Sequence, residues 1–119
     1  MSDSKITKLN AKFAKVYDIE DMLCMLMEES AELIQACNKY LRYIHKKKRY
    51  KKKKKNVEVL KSLNKEVIES LTEEIADTEI FIERIKMQLD IKESEISKWK
   101  KAKLKRQQGR LRNERKNEK

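Results

Sequence analysis

At 119 residues the chain is one domain in length, enough to bury roughly two-thirds of its unfolded surface. A single glycine, no proline and 43% charged residues exclude the hairpin-rich β architectures, which need turn residues at short intervals. The net charge of +11 is uneven: residues 46–55 carry eight lysines and an arginine with no acid, and 92–119 carry twelve basic and four acidic side chains, so the prospective core is acidic.

In chain order, residues 5–17 predict a short amphipathic lead-in helix, with Ile6, Leu9, Phe13 and Val16 on one side. A long helix is expected over 18–45, apolar around most of its circumference as a central bundle member would be. The Lys-rich connection 46–56 follows, either a solvated loop or a charged helical extension, with like-charge repulsion favouring an open conformation. A second long helix is expected over 57–91, carried by Val57, Leu60, Leu63, Val67, Leu71, Ile75, Thr78, Ile82, Ile85 and Leu89. A third begins near Glu93 with Ile96, Trp99 and Leu104. The basic tail 109–119 has little to bury and is expected to fray.

The fold class is therefore all-α, an antiparallel helical bundle, with a lead-in 1–17 and a domain 18–108. The modest apolar content predicts a bundle completed by self-association. Trp99 is expected to anchor the third helix, and Tyr40 and Tyr43 to pack. Met22, Met25 and Met27 read as core filler, and His45 as exposed. Cys24 and Cys37, about 20 Å apart on one helix, are beyond disulfide reach and read as small core residues. The longest apolar run, 22–27, is too short for a membrane span, and nothing resembles a signal peptide, so a cytoplasmic location is expected.

Two acidic clusters interrupt the apolar faces: Glu28-Glu29-Ser30-Ala31-Glu32 and Glu73-Glu74-Ile75-Ala76-Asp77. Glu29 and Glu32 share a helix face, as do Glu74 and Asp77, because residues three apart are neighbours on a helix. At about 100° per residue, Glu29 falls amid Met22, Leu26, Leu33 and Tyr40, and Glu74 amid Val67, Leu71, Thr78 and Ile85. An unpaired carboxylate in an apolar stripe is costly. If the helices run antiparallel, the two acidic turns meet at one level. Two carboxylates about 4 Å apart repel by roughly 4 kcal/mol at an effective dielectric of 20. Four together call for a hard divalent cation.

These residues resemble the MazG-like members of the all-α nucleotide pyrophosphohydrolase superfamily, whose pattern is E-E-x-x-E on one helix and E-x-x-D on the next. The match is Glu28-Glu29-x-x-Glu32 and Glu74-x-x-Asp77, within MEESAELIQACNKYLR and LTEEIADTEIFIERIKMQL, and covers about 18–105. One departure is the wider separation of the half-motifs, caused by the Lys-rich stretch.

The resemblance implies a Mg²⁺-dependent hydrolase, with Mn²⁺ as a substitute, that cleaves a nucleoside triphosphate between its α and β phosphates. The products are a monophosphate and pyrophosphate, the role is nucleotide house-cleaning, and the assembly is a homodimer or homotetramer. Carried over residue by residue, the resemblance makes Glu29, Glu32, Glu74 and Asp77 the metal ligands and Glu28 the catalytic residue, an outer-sphere or water-positioning carboxylate. Among nearby cations, Lys39 and Lys98 are chosen as phosphate contacts over Arg42, Arg84, Lys101 and Lys105. The competing reading is a non-enzymatic basic helical module that binds nucleic acid or a helical partner. The stretch Lys46-to-Lys55 would touch any polyanion in a salt-dependent, sequence-independent way.

Overall fold

The computed structural model describes residues 1–52 and 57–118, and these are all-helical apart from short connections. Helices α1 (Asp3–Val16), α2 (Ile19–Lys52) and α3 (Val57–Gln88) belong to one compact unit, Met1–Gln88. Helix α4 (Glu93–Asn117) belongs to a second, Leu89–Lys119. The lead-in is thus part of the same unit as the two long helices, and the division falls at 88/89 rather than at 17/18 or 108/109.

Local chemistry sets the helix starts. Ser2 caps α1 by accepting from the Lys5 amide at 3.2 Å, and Asp18 caps α2 by accepting from the Asp21 amide at 2.8 Å. After α3 the chain turns through Asp90 at φ 53°, a left-handed position in which aspartate is among the few tolerated non-glycine residues.

Helix α3 packs against both α2 and α1. It runs antiparallel to α2: the Gln88 side-chain amide donates to the Tyr17 carbonyl at 3.0 Å at one end, and Tyr43 shares a cleft with Leu63 and Val67 nearer the other. The core is narrow. Met22 is fully buried, Ala36, Tyr43 and Ile85 are buried along the α2–α3 seam, and Ala14 is buried on α1. The Tyr40 and Tyr43 rings lie 5.7 Å apart, so both tyrosines pack as expected.

Helix α1 is held by one polar clamp. The Asn10 amide donates to the Ile80 carbonyl at 3.1 Å, and the Arg84 Nε donates to the Asn10 carbonyl oxygen at 2.6 Å. The Arg84 guanidinium also sits 5.0 Å from the Phe13 ring and 4.9 Å from the Phe81 ring. A charged hydrogen bond plus ring stacking predicts that Arg84→Ala costs about 2–3 kcal/mol in chemical denaturation and speeds hydrogen exchange in α1.

Several sequence expectations are corrected. Of the two forms open to the Lys-rich stretch, the described part takes that of a charged helical extension, with α2 running through Lys52; residues 53–56 lie outside the described residues. Lysine and arginine are good helix formers, which sustains the helix here, and Lys47 and Lys51 line a shallow cavity together with Val57, Leu60 and Asn64 of α3. Where the sequence reading expects a frayed tail, α4 continues through Gly109 to Asn117, built largely from Lys, Arg, Gln and Leu. A Cβ at Gly109 would meet nothing within 4 Å. Gly109→Ala is therefore expected to stabilise α4 by about 0.5–1 kcal/mol, read as increased helicity on thermal melting.

Met27 is 70% and Trp99 64% exposed, so neither fills a core, and Cys24 and Cys37 are both exposed. His45 is exposed as expected. No helix among the described residues is long and apolar enough to cross a membrane.

Candidate metal centre

The antiparallel register of α2 and α3 brings the two acidic turns to the same level. Glu29 lies on the stripe of α2 that carries Met22, Ala36 and Tyr43; Glu74 lies on the stripe of α3 that carries Thr78 and Ile85. Each therefore faces the opposite helix. Glu32 and Asp77, three residues on, stand at one edge of the seam. The result is a group of four carboxylates, Glu29, Glu32, Glu74 and Asp77, with one oxygen of each within 4.8 Å of all the others. Glu32 is exposed and the other three are half-buried. The Thr78 hydroxyl donates to the Glu74 carbonyl at 2.8 Å, so that buried polar group is satisfied within its own helix.

The electrostatics are those of unneutralised like charge. Loss of hydration raises the Glu29 carboxyl first, and the charge of Glu32, a hydrogen bond with it, and the charges of Asp77 and Glu74 add to this, pushing Glu29 from 4.5 up to about 7. Glu74 is raised for the same reasons: lost hydration first, then Glu32, Asp77 and Glu73. The Oε2 atoms of Glu29 and Glu74 are both shielded from solvent without a hydrogen-bond partner. Among the described residues no lysine or arginine is paired with any of the four acids; the ion pairs Lys61–Glu58 and Lys86–Glu83 lie elsewhere on α3.

The donor set fits a hard divalent cation. Oxygens sharing one ion are separated by at most twice the metal–oxygen distance, about 4.2 Å for magnesium and about 4.8 Å for a larger ion. The four-acid group already meets the larger limit, and small carboxylate rotations reach the smaller. Two shielded oxygens with no donor nearby are what a cation would satisfy.

The remaining predicted residues fall outside this group. Glu28 is exposed, one turn before Glu32 on α2. Lys39 is exposed and lines a cleft two turns farther along α2. Lys98 is exposed on α4, in the second unit. Arg84 is committed to Asn10, Phe13 and Phe81. The sequence reading gave Glu73 no role, yet it stands four residues before Asp77 as Glu28 stands before Glu32, and its charge raises Glu74. The Lys-rich stretch lengthens the hairpin beyond the site and leaves the two acidic turns in register.

No family model matches the chain, and neither the curated proteins nor the solved structures contain a match to it.

Proposed function

We propose that the protein is a MazG-like, magnesium-dependent nucleoside triphosphate pyrophosphohydrolase, releasing a monophosphate and pyrophosphate. The observation that carries this reading is the convergence of two i,i+3 acid pairs from antiparallel helices, with two oxygens shielded and unpartnered. Glu29, Glu32, Glu74 and Asp77 would hold the ion. Bound there, magnesium or manganese supplies charge neutralisation at phosphate oxygens and a more acidic water.

The chain's own part is positioning. Glu29 and Glu74, anchored on buried stripes, fix the inner side of the site, while Glu32 and Asp77 define its open edge. Glu28, on the same side of α2 as Glu32, would orient an attacking water and take its proton. In-line phosphoryl chemistry depends chiefly on such placement and on charge neutralisation. The test is pyrophosphate release from a nucleotide panel, with magnesium and with chelator. Metal-dependent turnover supports the reading; its absence across the panel contradicts it.

The reading includes assembly into a homodimer or homotetramer. Leu23, Met27, Ile34 and Leu41 of α2 fall within about 40° of one another around the helix and are 42%, 70%, 62% and 52% exposed. Ile68, Ile75 and Ile82 repeat every seventh residue on α3 and are also exposed. In an antiparallel pair both rows lie on the side of the hairpin opposite Glu32 and Asp77. A second copy seated there would leave the acids open. Burying an isoleucine contributes about 1.5–3 kcal/mol, so Ile34→Glu with Ile75→Glu is expected to convert the oligomer to monomer in light scattering at micromolar concentration. An unchanged mass would remove this interface from the account.

A further inference from the structure

Farther along the same hairpin, α2 and α3 form a cleft of about 460 Å³, with Leu63, Val67 and the buried Tyr43 at its base. Lys39, Arg42, Lys46 and Arg49 line it from α2. These four follow at intervals of three, four and three residues, so successive cations are displaced by about 4.5–6 Å along the axis and span about 15 Å. They lie within about 80° of one another around α2 and form a single row. None has an acidic partner among the described residues; Lys46 lies 5.5 Å from the Tyr50 ring. The one acid in the lining is Glu66, across the cleft on α3.

A row of unneutralised cations over an apolar floor is complementary to a linear anion with closely spaced charges. The lining favours a chain without bases. Tyr43 is buried and offers no open ring face for stacking, and apart from the exposed imidazole of His45 the cationic groups displayed are ammonium and guanidinium groups suited to phosphate oxygens. We propose that this cleft binds a chain of condensed phosphates, either the tail of a nucleoside polyphosphate or inorganic polyphosphate, laid along Lys39, Arg42, Lys46 and Arg49. The row begins seven residues beyond Glu32, about 10.5 Å along α2, and leads away from the acids. Binding here requires neither a metal ion nor hydrolysis.

The experiment is calorimetric titration of the full chain in chelator at 150 mM salt. The ligands are inorganic tetraphosphate, a long-chain polyphosphate and adenosine 5′-tetraphosphate, with a single-stranded oligonucleotide of equal charge as competitor. The cleft variant is Lys39→Gln with Lys46→Gln. The control is Lys8→Gln with Lys12→Gln, exposed lysines of α1 that remove the same charge. Circular dichroism establishes that both fold.

The expected result is tighter binding of longer chains and an affinity loss of at least tenfold in the cleft variant but under twofold in the control. A flatter dependence of affinity on salt is also expected in the cleft variant, since fewer phosphates are then neutralised. Equal binding of adenosine and inorganic tetraphosphate identifies the phosphates alone as the ligand; tighter binding of the adenosine compound identifies the nucleoside polyphosphate as its source. Equal losses in both variants, an oligonucleotide that binds as tightly as polyphosphate, or no binding to wild type would each overturn the proposal. Because the titration excludes metal, pyrophosphohydrolase activity can fail without affecting it, and the reverse also holds.

Discussion

Glu74→Gln is expected to abolish magnesium-dependent pyrophosphate release and, in the metal-free protein, to raise the melting temperature. The two effects have one origin. Glu74 lies on the seam, its Oε2 is shielded without a partner, and it faces Glu32 and Asp77. Without a cation its charge is a net cost to the fold; glutamine keeps the shape and removes the charge. With the cation present, the same carboxylate is a ligand. Changing groups that merely support a ligand costs about 10–100-fold in metal affinity or activity, so replacing a ligand itself is expected to cost more than about 100-fold. Thermal melts with and without magnesium separate the states. The wild type gains stability from the metal by mass action, and the variant loses most of that gain. A variant less stable than wild type in chelator would show Glu74 to be an ordinary structural residue.

Glu29 sets the second large effect, a pH dependence opposite to that of a salt-bridged carboxylate. In the folded chain its carboxyl holds a proton up to about pH 7, whereas its ordinary value is 4.5. Between those values the folded state binds more protons than the unfolded, so metal-free stability falls as pH rises through this window and the loss is complete above it. The full shift corresponds to about 3 kcal/mol at 1.36 kcal/mol per pH unit; solvent screening of this half-buried group reduces the expected loss to about 1–2 kcal/mol. Glu29→Gln is expected to flatten the profile in urea titrations from pH 4.5 to 7.5. Saturating manganese is expected to reverse its slope, because binding displaces the retained proton. A metal-free profile that rises with pH would contradict the clustering of charge.

Much of the site is legible in the sequence because helical periodicity is a strong constraint. Once α2 and α3 are read as helices, Glu29 and Glu74 can only project from apolar stripes, and their partners follow three residues later. Antiparallel neighbours joined by one connection then bring the acids to one level. Periodicity does not say which of several apolar rows finds a partner. Met27 and Cys37 belong to apolar or small-residue rows like those of Met22 and Ala36, yet they are exposed because α3 covers only one side of α2.

Charge was a weaker guide than helix propensity. The lysines within 46–52 repel one another, yet the helix continues through Lys52. Arg84 illustrates a different limit. Two turns beyond Asp77, it counts in the sequence only as one cation near the site, and only the docking of α1, more than 70 residues away, commits it to Asn10.

The most direct test of the central claim, that four carboxylates share one divalent cation, is manganese binding followed by electron paramagnetic resonance at pH 7.5. The account predicts loss of the free-ion signal at a fixed stoichiometry in the wild type, competition by magnesium, and weakening of at least tenfold in both Glu29→Gln and Glu74→Gln. A free-manganese signal that rises in proportion to added metal, or that is indifferent to both substitutions, would contradict it.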